Sequence, residues 1–275
     1  MRLVMAKLMR PASPCASSCK RALPSAEIFG TNRFRLLTVQ HSIHSMLVNT
    51  LPIGWATDLA ILELTGSQVT DNGDHLVVRT PANPDYHWGN CILVTDPSSV
   101  DDAARWESRF VDAFSAADWL AIGLPVMPTD TEAWSTRGIE LESLDVLSTR
   151  TSPRAGPLAD GYSVRALTSV DHETIVQREL AEVLESGEYE PVMFERFLRA
   201  RTASTESMIE RGVAQWFGAF SGDTLVSDLG IVRCGSTARY QADGTDAAHR
   251  RNGLASHLLG VAAKWAAEQG CTEWA

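Results

Sequence analysis

The chain has 275 residues, of which 44% are hydrophobic and 21% are charged, so it can bury either one large core or two modest ones. Its formal net charge of −10 argues against nucleic acid as a partner, because binding to a phosphate backbone needs a positive surface. No apolar run reaches the roughly 18 residues that cross a bilayer, so we expect no membrane partner either.

Residues 1–45 differ in composition from the rest of the chain. They hold many Lys and Arg residues but a single acid, Glu27, and they show no sustained apolar period. A targeting peptide is one interpretation, because such segments are basic and poor in acids. An unstructured basic extension is the simpler interpretation of this composition. We therefore predict that residues 1–45 lie outside the fold.

Residues 46–147 have the pattern of a smaller mixed α/β domain. Runs of strand period predict five strands, and the turn residues at 71–74 separate the first two. Asp101 is predicted to open a helix between the third and fourth strands. The apolar residues expected along one side of this helix are Trp106, Phe110, Val111 and Phe114. The predicted strands span 58–64, 75–80, 88–94, 118–124 and 138–147.

Residues 148–161 contain prolines and glycines without an apolar period, which predicts a linker between two domains. The second domain, residues 162–275, is predicted to open with a short strand. Two helices should follow, one from Asp171 and one from Pro191. Hairpin residues at 221–223 then join two antiparallel strands. The strands predicted for this domain span 162–167, 214–220, 224–232 and 238–245.

The stretch 245–259 places basic residues and a glycine in front of an apolar helix. Apolar residues at three- and four-residue spacing predict this helix, and Gly270 is placed to end it. Gly253 lets the backbone approach a ligand, and the first N–H groups of a helix have no partners within it. With Arg250 and Arg251 nearby, these groups predict an anion site that suits phosphate best.

The segment Arg250-Arg251-Asn252-Gly253-Leu254-Ala255 resembles the Q/R-x-x-G-x-G/A loop of the GNAT N-acetyltransferase superfamily. The predicted order of the second domain is also similar to that of the GNAT fold: strand, two helices, three strands, loop and helix. The resemblance implies the acyl-CoA N-acyltransferase fold. This is an α/β fold of mixed α+β type, whose central and mostly antiparallel sheet is flanked by helices.

This resemblance implies that an acetyl group is transferred from acetyl-CoA, the co-substrate, to a primary amine. In the family, the loop backbone and the following helix N-terminus hold the pyrophosphate of acetyl-CoA. The strand before the loop presents its backbone to the pantetheine arm and the acetyl carbonyl, and Thr245 takes that place here. The other positions implied for coenzyme binding are Arg250, Arg251, Asn252, Gly253, Leu254, Ala255 and Ser256.

Direct transfer needs backbone donors that polarise the thioester carbonyl and a base or ordered water that takes the amine proton. Asp243, on the strand before the loop, and Asp228, on the preceding strand, are candidate bases. An ordinary hydrogen-bonded or exposed acid is the competing interpretation for both, so the base stays unassigned. His249 and His257 flank the loop and are expected to cap the chain or to face solvent.

The chain departs from the family pattern at its end. Residues 271–275 stand where the family's fifth strand begins, and no tyrosine follows the loop, although family members often supply a tyrosine acid there. We therefore expect an incomplete second domain. A naturally short form, completed by the first domain or by a second copy in a homodimer, is the alternative. The alternative function is accordingly a catalytically silent coenzyme-binding or interaction module.

Residues 83–94 resemble part of the N-terminal half of two-domain acetyltransferases, which is a degenerate GNAT-like repeat. The first domain has no Q/R-x-x-G-x-G/A loop, so we expect it to bind no coenzyme and to wall off the substrate cleft. His87 and Trp88 are candidates for ligand contact, but a buried His beside a core Trp is the commoner arrangement. The acceptor, a small molecule or a peptide amine, is left open.

The cysteines form an odd, scattered set with neither CxxC pairs nor the spacing of metal ligands. We expect reduced thiols in a cytoplasmic protein without a metal site. The five are Cys15, Cys19, Cys91, Cys234 and Cys271.

Overall fold

The computed structural model describes residues 2–9, 51–187 and 189–275. The side chains of Arg2, Leu3, Leu8, Met9 and Asp243 are not among the described parts. Two β-sheets organise these residues, one in the first half of the chain (2–9 and 51–147) and one in the second half (162–275). Each sheet has its own cluster of buried apolar side chains.

The first half builds a six-stranded sheet with helices packed against it. Its strands are β1 (Arg2–Met9), β2 (Gln68–Asp71), β3 (His75–Arg79), β4 (Cys91–Val94), β5 (Trp119–Leu124) and β6 (Glu140–Asp145). Its α-helices are α1 (Ile53–Leu64), α2 (Ala103–Ala113) and α3 (Glu132–Ser135), and single 3-10 turns span His87–Gly89 and Pro97–Ser99. The strands lie in the order β2-β3-β4-β5-β1-β6, and only the β4–β5 pair of this sheet is parallel.

Strand β1 lies inside this sheet and pairs antiparallel with both β5 and β6. Val4 and Ala6 are buried in the core, while Lys7 points outward and its Nζ lies 3.1 Å from Glu142 Oε2. The prediction that residues 1–45 lie outside the fold is therefore wrong for residues 2–9. Side chains of residues 4–7 alternate between the core and the other face of the sheet, which is the pattern of a strand. The basic composition of the segment made this short pattern hard to recognise. The remainder of the predicted extension lies outside the described residues.

Residues 58–64, predicted as a strand, belong to helix α1, so that prediction is wrong. The buried apolar residues of α1 are Trp55, Leu59 and Leu62, and this spacing of four and three places them on one helical face. The window that suggested a strand began too late to include Trp55. The helix starts directly after Pro52, and the full apolar pattern is visible only from there.

The predicted helix after β4 is confirmed as α2, but it begins at Ala103 rather than at Asp101. Asp102 is the N-cap residue, and its carboxylate accepts a hydrogen bond from the backbone N–H of Arg105 at 3.1 Å. Asp101 instead accepts from the backbone N–H of Thr129 at 2.6 Å. The helix thus starts later than predicted, because the carboxylate of Asp101 binds the backbone of residues 129–130 instead of capping the helix.

The buried stripe of α2 is narrower than its sequence suggests. Trp106 and Phe110 are almost fully buried, whereas Val111 is 43% exposed. A helix turns by 3.6 residues, so the residue after Phe110 lies about 100° away from the buried direction. Including Val111 in the apolar side of the helix was therefore wrong.

The second half builds a five-stranded sheet in the order β11-β10-β9-β8-β7, with all pairs antiparallel except β10–β11. The predicted hairpin and the other predicted strands of this half are confirmed. The strands are β7 (Tyr162–Ala166), β8 (Ala214–Ser221), β9 (Thr224–Cys234), β10 (Thr237–Thr245) and β11 (Glu273–Trp274). The helices are α4 (Ser169–Ser186), α5 (Pro191–Glu210) and α6 (Leu254–Glu268), and a 3-10 turn spans Ala247–His249.

Carboxylates fix the starts of α4 and α5. Thr168 and Asp171 form a capping box at the N-terminus of α4, and Arg165 donates to Asp171 from both of its terminal nitrogens. Glu190 accepts from the first N–H groups of α5, and Pro191 occupies the first position of that helix.

The two halves share a local arrangement. In each half three strands pair antiparallel, a helix follows the third strand, and the next strand pairs parallel with that third strand. The strands and helix are β2-β3-β4-α2-β5 in the first half and β8-β9-β10-α6-β11 in the second.

The predicted linker, 148–161, is held against the second half. The backbones of Thr149 and Trp274 exchange two hydrogen bonds of 2.9 Å. A Cβ on Gly260 of α6 would lie 1.9 Å from the backbone nitrogen of Ala155, so only glycine allows this close approach.

Polar contacts also join the two halves. Arg196 of α5 forms a two-nitrogen ion pair with Asp85, and Arg239 Nη2 lies 3.3 Å from Asp58 Oδ1 on α1. These contacts set α1 and the segment before β4 beside α5 and β10. Among the described helices, none combines the length and apolar character needed to cross a membrane.

Candidate functional site

The N-terminus of α6 presents free backbone donors. Gly253 is its N-cap residue, with a φ of 74°, and Arg251 has a φ of 67°. The first backbone bond of the helix runs from the N–H of His257 to the carbonyl of Gly253, at 2.9 Å. In the described part of the chain, the N–H groups of residues 254–256 therefore have no acceptor. This end of the helix attracts an anion through its donors and its dipole.

The side chains around these donors leave the approach open. Leu254 is buried in the core, so it contributes to the loop surface only through its backbone. Asn252 is exposed, but its Nδ2 donates to the carbonyl of His249 at 3.0 Å. Apart from the chain next to Gly253, no heavy atom of the described residues lies within 4 Å of the place that a Cβ on Gly253 would take. Arg251, Ala255 and Ser256 are exposed beside this opening.

Thr245 ends β10 just before this loop, and its backbone carbonyl is already engaged. Arg250 Nε donates to it at 3.1 Å. Ser227 on β9 holds the same corner, because its hydroxyl donates to the carbonyl of Gly244 at 2.7 Å and lies 2.8 Å from Thr245 Oγ1. The Thr245 carbonyl expected to contact the coenzyme thus positions Arg250 in this structure.

A β-bulge interrupts β10 shortly before the loop. Gln241 pairs with Gly230 and Gly244 pairs with Asp228, so three steps along β10 match two steps along β9. Ala242, inside the bulge, has a φ of 40°. A bulge takes residues out of the regular hydrogen-bonded pairing of a strand. Here these residues come shortly before the loop and adjoin a cavity.

This cavity of about 280 Å³ lies between the two halves of the protein. Its walls come from α1 and residues 80–88 of the first half, and from α4, α5 and strands β8–β10 of the second half. Gln241 and Ala242 of the bulge belong to its lining, as does Asp228. The cavity therefore meets β10 within a few residues of the α6 loop.

Trp216 of β8 forms part of the cavity wall because a glycine stands opposite it. Trp216 and Gly230 are direct cross-strand partners. A Cβ on Gly230 would lie 2.1 Å from Cε2 of the indole, so a larger residue would push the ring away.

Asp228, one of the two candidate bases, is buried at this wall. It is 4% exposed, and its Oδ1 lies 2.5 Å from Arg178 Nη2 on α4. Burial raises the pKa of Asp228, and the bonded Arg178 opposes that rise. Arg178 also lies 3.6 Å from Asp246 of the α6 loop and so links the cavity carboxylate to the loop. A raised pKa brings proton exchange closer to neutral pH.

Three further residues were singled out near the loop. Asp243 lies in β10, the strand on which it was predicted, and its side chain is outside the described parts. His249 Nδ1 is 3.0 Å from the Tyr162 hydroxyl, and His257 Nδ1 is 2.6 Å from the carbonyl of Gly156. The expectation that both histidines cap the chain or face solvent is therefore wrong, because each ties the α6 region to a neighbouring segment.

His87 and Trp88 have different surroundings in the structure. His87 stacks on Trp119 with ring centroids 4.5 Å apart, and burial lowers the pKa of His87. Trp88 lines the cavity. The histidine thus follows the expected packing beside a tryptophan, although its partner is not the neighbour in sequence.

Sequence reasoning missed Asn83 and His172 as site residues. Both line the cavity, and both are about 5% exposed or less. No motif marks either residue, because their proximity depends on how the two halves pack. Arg178 was missed for a similar reason: it lies outside the apolar pattern of its helix, and its carboxylate partner is 50 residues away.

Neither a protein-family model nor a curated protein matches the sequence. Among solved structures, the protein is similar to a GCN5-related N-acetyltransferase from Kribbella flavida. The TM-score is 0.51 at 15% identity, over 79% of this chain and 83% of that chain. The chain has the GNAT fold. The fold expected from the segment Arg250–Ala255 is thereby confirmed.

Smaller portions of the protein are similar to two other acetyltransferase structures. One is a predicted acetyltransferase with acetyl-CoA from Clostridium acetobutylicum, with a TM-score of 0.35 and 14% identity over 42% of this chain and 79% of that chain. Another is the PaiA N-acetyltransferase from Thermoplasma acidophilum in complex with coenzyme A, with a TM-score of 0.33 and 20% identity over 40% and 74% of the two chains.

Proposed function

We propose that this GNAT-fold protein is an N-acetyltransferase that moves an acetyl group from acetyl-CoA to a primary amine. The observation that carries the proposal is the free N-terminus of α6. Its N–H groups have no partner among the described residues and follow two left-handed residues, Arg251 and Gly253, and donors in such a place suit a diphosphate.

The loop before α6 offers charge and backbone donors that would serve the binding of acetyl-CoA. The backbone of residues 251–256 would hold the diphosphate, with Arg251 adding charge at the rim. Arg250 is fixed on Thr245 and would stiffen the loop rather than grip the ligand. The bulge at Ala242 would present backbone to the acetyl group, because its residues are outside the regular strand pairing.

The transfer itself needs one new bond and one broken bond. The neutral amine attacks the thioester carbon, the C–N bond forms, and the C–S bond breaks. The proton that the amine gives up ends on the sulfur of the released coenzyme. Asp228 is our choice for the group that first deprotonates an incoming ammonium, because it is the buried carboxylate at the cavity wall nearest the bulge in the strand pairing.

The first half would complete the acceptor side. Helix α1 and residues 80–88 supply one wall of the cavity, and the ion pairs Arg196–Asp85 and Arg239–Asp58 hold that wall in place. This arrangement supports the expectation that the first half encloses the acceptor.

The release of free thiol from acetyl-CoA, followed with a panel of primary amines, tests the proposal. The expected result is thiol release that depends on the amine and equals the amount of acetylated product. Acetyl-CoA binding without thiol release for any amine would instead favour a silent coenzyme-binding module. Failure to bind acetyl-CoA at all would overturn both.

A further inference from the structure

We infer that the cavity between the two halves binds a compact primary amine that has an aromatic or branched apolar body and a second hydrogen-bond donor, and that Asn83 accepts from that donor. This inference rests on the proposed function, because it names the acceptor class of the same site. It adds a binding role for residues of the first half.

Asn83 holds an unused acceptor at the cavity wall. Its side-chain Nδ2 donates to the carbonyl of Phe197 on α5 at 3.1 Å, which fixes the orientation of the amide. Oδ1 is buried and has no hydrogen-bond partner among the described residues. An unpaired buried amide oxygen is costly, and a donor on a ligand removes that cost.

His172 provides a second polar atom of this kind. Its Nδ1 lies 3.4 Å from Glu206 Oε1, while Nε2 is buried without a partner in the described chain. When the neutral ring carries its proton on Nδ1, Nε2 is an acceptor. Two buried acceptors on one cavity select a ligand with donors at two places.

The carboxylates of the lining offer places for an ammonium group. Three carboxylates line the cavity, those of Asp58, Glu179 and Asp228, and each has an arginine partner. Arg201, which pairs with Glu179, also lines the cavity, whereas Arg239 and Arg178 pair with Asp58 and Asp228 from outside the lining. An alkylammonium in the cavity can therefore share the carboxylate of Asp58 or Asp228 with its arginine partner.

The size and the apolar lining restrict the body of the ligand. Tyr86, Trp88, Phe197 and Trp216 contribute aromatic rings, and the centroids of Tyr86 and Phe197 are 5.6 Å apart. A volume of about 280 Å³ is on the order of nine water molecules. That space suits an amine of roughly ten non-hydrogen atoms.

Calorimetry on the full chain with tyramine and phenethylamine tests this inference. The two amines share ring and ammonium, but only tyramine carries a second donor on its ring. We expect tyramine to bind about fivefold more tightly, the effect of one hydrogen bond to a buried acceptor. The N83L variant should remove this preference and leave phenethylamine binding unchanged.

A second variant keeps the test independent of Asn83. Thr205 lines the cavity from α5, and T205F should fill it and weaken both amines at least tenfold. The matched control is A203F, on the exposed face of the same helix, which should leave amine binding unchanged. Acetyl-CoA should bind equally well to both variants, because neither residue belongs to the α6 loop proposed to hold the diphosphate.

The outcomes separate the two proposals. If neither amine binds while acetyl-CoA binds normally, or if T205F leaves amine affinity intact, the inference is overturned. A lysine peptide that binds as tightly as tyramine and ignores T205F would overturn it as well. Amine binding that shows the expected preference without any acetylation would support the cavity assignment and count against the proposed reaction alone.

Discussion

The loops before α2 and α6 occupy equivalent places in the two halves, and they treat the helix N-terminus in opposite ways. Each loop has eight residues, 95–102 in the first half and 246–253 in the second, between a strand and the helix that follows it. In the first loop, Asp102 caps the helix with its own carboxylate. In the second, Gly253 occupies the same position and leaves the N–H groups free.

The two loops also differ in charge: the first is acidic and the second is mainly basic. The first loop contains Asp96 and Asp101 besides its capping residue, and Asp96 accepts from the backbone N–H of Ser98 at 2.9 Å. The second contains Arg250 and Arg251 and a single acid, Asp246, which lies 3.6 Å from Arg178. A helix N-terminus satisfied by a carboxylate of its own has little to offer an external phosphate. This difference supports assigning coenzyme binding to the second half and enclosure of the acceptor to the first.

Transferring the carboxylate cap to α6 should produce the largest effect. The G253D variant would cap the free N–H groups and repel the diphosphate, so we expect acetyl-CoA affinity to fall about 1,000-fold, or about 4 kcal/mol. Titration calorimetry measures this change. The control is G270D, which places the same side chain at another exposed left-handed glycine beyond the far end of the helix and should not affect binding.

Removing the carboxylate at the cavity should affect catalysis more than binding. We expect D228N to lower kcat about 100-fold with unchanged acetyl-CoA affinity. Burial raises the pKa of Asp228, so wild-type activity should decline as pH falls through a value above the ordinary aspartate pKa. A pH profile in which D228N keeps the same acid limb would rule out this carboxylate as the base.

Helix α4 shows what a carboxylate cap contributes inside the second half. The Arg165 guanidinium holds the pKa of Asp171 well below its usual range. We expect D171N to lower the free energy of unfolding by about 2 kcal/mol at neutral pH. Because a depressed pKa stabilises the fold only while the group is ionised, the difference should shrink as pH falls below about 4. Denaturant unfolding at several pH values measures it, and a difference that stays constant with pH would contradict the prediction.

Removing the N-cap of α2 should have the smallest effect of these substitutions. We expect D102A to cost about 1 kcal/mol of stability and to shift the thermal midpoint by a few degrees. Acetyl-CoA affinity should be unchanged, because opening this helix end leaves the acidic loop around it. A new binding site created by D102A would show that charge and loop shape do not separate the two halves.

Sequence patterns predicted the second half more accurately than the first. The hairpin at 221–223, the strand before the loop and helix α6 follow directly from local period and turn residues. The fold could be named because the segment 250–255 combines a loop motif with its place between strand and helix. In the first half, α1 was mistaken for a strand, since its apolar face includes Trp55, which lies upstream of the window considered.

The loop proposed to bind the coenzyme was predictable because a glycine and the local order of elements reveal its backbone geometry. The cavity proposed for the acceptor was not, because its polar atoms come from residues far apart in sequence. Asn83 and His172 meet one cavity only after the two halves pack together. Strand β1 was hidden as well, because its partners begin more than 100 residues later.

Amide hydrogen exchange on the full chain, with and without acetyl-CoA, tests the central claim most directly. The free N–H groups of residues 254–256 should exchange rapidly in the free protein and become protected when acetyl-CoA binds, while those of residues 103–105 in α2 should not change. Binding that leaves residues 254–256 unprotected, or that protects the start of α2 instead, would contradict the assignment of the diphosphate to α6.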